Sequence, residues 1–119
     1  MIKILVIGMF HQSPQWGMGS ATSFSSDIST WDVSSVTKMD VMFGDASSFN
    51  SDISNWNVSS VISMPSMLNG ATSFNQDLCA WGNKFPYDNT PSIFTESGCT
   101  FQDDPQDFQQ GPFCASECN

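Results

Sequence analysis

Three carboxylates, Asp27, Asp52 and Asp77, recur at intervals of 25 residues. Stacked carboxylates repel one another, so each must be compensated. A calcium ion between turns is one way; an Asx-turn, in which the side chain accepts a nearby backbone N–H, is the other. The glycine- and aspartate-rich motif of calcium-binding β-helices is missing, so turn capping is the favoured reading and no metal or other cofactor is expected. Trp31, Trp56 and Trp81 form a second ladder at the same interval. Exposed indole faces would stack on sugars, which makes a carbohydrate- or calcium-dependent binding module the alternative reading. Each Trp, however, stands between an Ile or Leu and, in the first two cases, a Val, a setting that favours core stacking. Asn57-Val58-Ser59 is an N-glycosylation sequon.

Cysteines are confined to the end of the chain: Cys79, Cys99, Cys114 and Cys118. In a small, acidic, loop-rich tail an even number reads as disulfides formed in an oxidising compartment. Zinc is disfavoured, because the spacings contain no CxxC and no histidine accompanies them. Four cysteines allow three connectivities, which sequence does not decide. Cys79–Cys99 would staple one unit closed, and Cys114–Cys118 would pin the tail. Catalysis is not expected. The sole histidine, His11, lies outside the repeats, and no serine has a histidine and an acid at a recognisable spacing.

The 25-residue interval belongs to a tandem repeat. Residues 24–48 and 49–73 align without a gap and share 14 identical positions, and a third block opens at Phe74. Residues 16–23 match the back half of a repeat, and residues 82–119 depart into a modified last unit and a cysteine-containing cap. Residues 1–15 hold the one continuously apolar run. It is too short to span a bilayer, and it reads as a flap over the first repeat or as a residual signal segment without a clear cleavage site.

Gapless repetition at this period predicts a solenoid, whose units gain stability by stacking. The spacing Ile28-x-x-Trp31-x-Val33 is that of a leucine-rich-repeat strand. Met39, Met42 and Phe43 lie three and four apart, as on one helical face. They predict a helical turn over residues 40–44, repeated over 65–69, where Pro65 suits the first helical position. The expected fold is therefore a leucine-rich-repeat-like solenoid, with a short strand and one short helical turn per repeat and an irregular, disulfide-stapled C-terminal cap.

The chain of 119 residues carries a formal net charge of −9 and only three cations. Without clustered Lys or Arg it is not expected to bind nucleic acid or an anionic membrane. The blocks FSSDISTWDVSSVTKMDVMFGDASS and FNSDISNWNVSSVISMPSMLNGATS resemble the BspA-like surface-protein repeat, also known as the Mycoplasma DUF285 repeat. The tail from Cys79 looks like the C-terminal cap of such proteins in marine microalgae such as diatoms. The resemblance implies a leucine-rich-repeat-like solenoid at the cell surface or secreted. Its implied role is adhesion or interaction with a protein or cell-surface partner, and it implies no catalytic residues. The exposed side around Asn55, Asn57 and Ser59 is where binding is expected. A structural cap ending a longer solenoid is a further alternative.

Overall fold

The computed structural model describes residue 25, residues 27–107 and residues 111–118. The expected flap at 1–15, the half repeat at 16–23, Phe24 and His11 lie outside the described residues.

Each repeat is a succession of tight turns. Backbone N–H groups donate to the carbonyl three residues back at Trp31–Ile28 (3.1 Å), Val36–Val33 (3.0 Å), Ala46–Phe43 (3.1 Å) and Phe49–Ala46 (3.1 Å). The second repeat copies these bonds at Trp56–Ile53, Val61–Val58, Ala71–Leu68 and Phe74–Ala71. Turns of this kind bring every third residue to the same side. Val33, Val36, Met39 and Met42 are accordingly buried, as are Val58, Val61, Met64 and Met67.

The expected strand and helical turn do not form. Among the described residues the regular elements are two short 3-10 turns, Cys79–Trp81 and Tyr87–Asn89. Ile28 and Trp31 close one tight turn and Val33 opens the next. The segment 40–44 fails to become a helix because Val41 takes a left-handed backbone, φ 56°, as does Asp45 at φ 59°. Ser66 (φ 54°) and Gly70 (φ 83°) repeat this in the next unit, and Ser92 (φ 59°) and Glu96 (φ 58°) in the last. A left-handed residue stops a right-handed helix as soon as it starts, at about 1–2 kcal/mol for a side chain other than glycine.

What this irregular backbone makes possible is pairing between repeats. The N–H groups of Met39, Val41, Phe43 and Asp45 donate to the carbonyls of Ser63, Pro65, Met67 and Asn69 at 2.8–2.9 Å. Those of Met64, Ser66, Leu68 and Gly70 donate to Asn89, Pro91, Ile93 and Thr95 at 3.0–3.1 Å. The offsets are 24 and then 25 residues, and Lys38 and Ser63 form a parallel bridge in the same register. Donors alternate along the chain, so Pro65 and Pro91 occupy rungs that give only a carbonyl. A residue lacking an N–H costs nothing there. Gly98 permits a close approach: a Cβ at this position would collide with the carbonyl oxygen of Thr72.

The core runs between the turns. Phe43 stacks on Phe49 with centroids 4.0 Å apart, and Phe49 on Phe74 at 5.6 Å. Trp56 and Trp81 are buried, and each indole N–H donates to a carbonyl of the preceding repeat: Trp56 to Ile28 at 3.1 Å, Trp81 to Ile53 at 3.2 Å. A buried carbonyl left without this donor would cost about 1–3 kcal/mol.

Val41 combines a β-branched side chain, a positive φ and 50 % exposure. Asparagine tolerates this backbone better. Val41→Asn should therefore raise the free energy of unfolding in urea by about 1 kcal/mol; an unchanged or lowered midpoint would contradict the strained turn.

Candidate functional site

Asp27, Asp52 and Asp77 occupy equivalent exposed turns. Each Oδ1 accepts the N–H two residues on: Ser29 at 3.0 Å, Ser54 at 3.0 Å and Cys79 at 2.9 Å. The Ser51 hydroxyl donates to Asp27 at 3.3 Å and itself accepts the Ile28 N–H at 3.1 Å, so it joins two repeats. The bond from the Ser29 N–H, more than any other contact, holds the Asp27 carboxyl below its ordinary range. The Ser54 side chain and N–H do the same for Asp52, against partial opposition from burial and from the Asp27 charge.

A second set of turns starts five residues after the first, at the residue that follows Trp31 and Trp56. Asp32 Oδ1 accepts both the N–H (3.0 Å) and the hydroxyl (2.6 Å) of Ser34. Asn57 Oδ1 accepts the same two groups of Ser59, at 3.1 and 2.6 Å. Asn55, Asn57 and Ser59 are all exposed, but they line none of the grooves described below. Trp31 is half-buried, and Trp56 and Trp81 are within the core, so the latter two have no face to offer a sugar.

Reading the sequence missed a ladder of amides. Asn50 Oδ1 accepts the Asn75 N–H at 2.9 Å, and Asn75 Oδ1 accepts the Thr100 N–H at 3.1 Å. Gln76 Nε2 adds bonds to the Asn50 carbonyl and side chain, both at 3.0 Å. The recurrence of Asn50, Asn75 and Thr100 at 25-residue intervals was the available signal.

The cysteines pair as Cys79–Cys118 and Cys99–Cys114, with Cα–Cα distances of 5.5 and 4.6 Å. This corrects the expected Cys79–Cys99 and Cys114–Cys118. The tail folds back between the ends of two units: Cys114 bridges both Asp77 and Phe101, and the Ala115 N–H reaches the Gln76 carbonyl at 3.2 Å. That return brings residue 114 to Cys99 and residue 118 to Cys79. The same tail supplies side-chain acceptors to the last ladder. Asp104 accepts the N–H of Ser92 and Gln102 that of Glu96, each at 3.2 Å.

Among the described residues, three of the surface grooves are shallow and open. One, of about 430 Å³, is polar and runs along Asp27, Ser51, Asp52 and Asn50. One, of about 360 Å³, lies against the cap at Thr90, Pro91, Asp104 and Pro105. The third, of about 380 Å³, has Val61, Ile62, Phe85, Pro86 and Tyr87 in its wall and Asp88 and Asp107 at its rim. Burial and then the Asp107 charge push the Tyr87 phenol up, while its hydroxyl donates to the Gly82 carbonyl at 2.7 Å.

What this geometry defines is a turn-built repeat protein with a disulfide-tied end. Over residues 17–108 the chain matches the family described as Mycoplasma protein of unknown function, DUF285, and it belongs to that family. No curated protein and no solved structure matches it.

Because the Asp27 and Asp52 carboxyls are held low in the fold, their contribution to stability is present above about pH 4 and is lost as pH falls through the depressed folded values. Thermal midpoints should therefore fall on acidification below that point. Asp52→Ala should cost about 0.5–1 kcal/mol at neutral pH. Calcium or a chelator should leave the midpoint unchanged. A chelator-sensitive midpoint would show that the ladder holds metal instead of capping turns.

Proposed function

We propose that the chain is a non-catalytic repeat-solenoid module, displayed at the cell surface or secreted, that binds another protein through its ladder side. The observation that carries this is the placement of the two large exposed hydrophobics among the described residues. Val41 and Ile62, 50 % and 58 % exposed, both lie on the backbone ladder. Val41 donates to the carbonyl of Pro65, and Ile62 to that of Thr37, so they stand on adjacent repeats. Ile62 also walls the groove that holds Phe85, Pro86 and Tyr87. Single exposed apolar residues are ordinary, but two on adjacent repeats along one ladder, one of them in the wall of a groove, suit an interaction surface. The side around Asn55, Asn57 and Ser59 serves less well, since Asn57 Oδ1 and the Ser59 hydroxyl are engaged with each other.

Secretion or surface display is supported by the two disulfides. Among the described residues no helix is long and apolar enough to cross a membrane, which is compatible with that placement. A non-catalytic role agrees with side chains whose polar atoms are engaged in turns.

The test is binding of labelled, folded chain to intact cells or to extracellular extract. Saturable binding that is lost in Ile62→Glu, with an unchanged thermal midpoint, is the expected result. Absence of saturable binding, or binding indifferent to Ile62→Glu, would contradict the proposal.

A further inference from the structure

The ladder side accounts for Val41 and Ile62 but leaves Asn57-Val58-Ser59 unused. It is the sole N-x-Ser/Thr sequon in the chain. Its three residues divide their surroundings as a glycan acceptor requires. Val58 is fully buried and anchors the turn, while Asn57 and Ser59 are exposed. Oδ1 of Asn57 takes both bonds from Ser59, and among the described residues no hydrogen bond holds Nδ2. The amide therefore presents its nitrogen to solvent while its oxygen fixes the side chain. Asn57 lines neither the groove beside Ile62 nor the one along Asp52. The preceding repeat supplies an internal control. Asp32 holds the same turn, with Ser34 N–H and hydroxyl on its Oδ1, so the fold does not need the nitrogen at this position.

We infer that Asn57 is an acceptor for N-linked glycan, an inference that rests on the secreted or surface reading above. In the transfer, Asn57 Nδ2 attacks the anomeric carbon of a lipid-linked oligosaccharide pyrophosphate. The new C–N bond forms as the bond from that carbon to the pyrophosphate oxygen breaks. The lipid pyrophosphate leaves, and one Nδ2 proton passes to a carboxylate of the transferase. Ser59 supplies the hydroxyl by which the sequon is recognised.

The full chain, fused to a cleavable secretion leader, is translated with eukaryotic microsomes, and protease-protected product is treated with a peptide N-glycanase. One glycanase-sensitive band is expected, with Asn57 converted to Asp in the released protein. It should vanish in Asn57→Asp and Ser59→Ala and persist in Ser59→Thr. Asn57→Asp keeps the turn acceptor seen at Asp32, so its loss of the band reports the nitrogen and not misfolding. Protected but unmodified wild-type chain overturns the inference and leaves the surface reading standing. A second arm labels cells that make the protein with a membrane-impermeant reagent. Modified microsomal product with no labelled chain on cells or in medium overturns the surface reading instead, and with it glycosylation in those cells.

Discussion

Everything in this molecule depends on one register: a backbone N–H in one repeat meeting a carbonyl 24 or 25 residues later. Short turns cannot persist alone in water, because closing each one orders several dihedrals for a single bond. Side-by-side pairing supplies a second bond to the same segment and excludes water from the side chains beneath. The left-handed residues Val41, Asp45, Ser66 and Gly70 are the conformational cost of that arrangement. All of them are ladder donors, so the strain and the bonds that offset it sit on the same residues.

The side-chain ladders reinforce the same register from both sides of the backbone. Inside, the indole N–H groups of Trp56 and Trp81 reach one repeat back, and Phe49 stacks on Phe74. Outside, Asn50 and Asn75 each accept an N–H one period on, at Asn75 and Thr100. A shift by one residue would break the inner and outer sets together. The end of the array needs a substitute for the missing neighbour. Asp104 and Gln102 provide it by accepting the Ser92 and Glu96 N–H groups, and Cys79–Cys118 and Cys99–Cys114 tie down the tail that carries them.

Much of this was legible in the residues, because period is a property of sequence. The 25-residue interval exposed the aspartates, the tryptophans and the buried set from Ile28 to Phe74. Local conformation was not legible. Met39, Met42 and Phe43 fit a helical face, yet a chain of three-residue turns buries the same positions, and spacing alone does not separate the two. Pro65 pointed to a helix start, but a rung without a donor accommodates it equally well. Nothing in Val41 or Ser66 as residue types announces a left-handed backbone. The disulfide pairing followed from the path of the tail, which has no repeat to guide it.

Amide hydrogen exchange tests the ladder most directly, since it reads each N–H separately. The amides of Met39, Val41, Phe43, Asp45, Met64, Ser66, Leu68 and Gly70 should form the slowest-exchanging set, opening together near the global unfolding free energy. The exposed turn residues Thr30 and Asn55 should exchange far faster. Ladder amides exchanging as fast as those turn residues would mean that neighbouring repeats are not paired in this register.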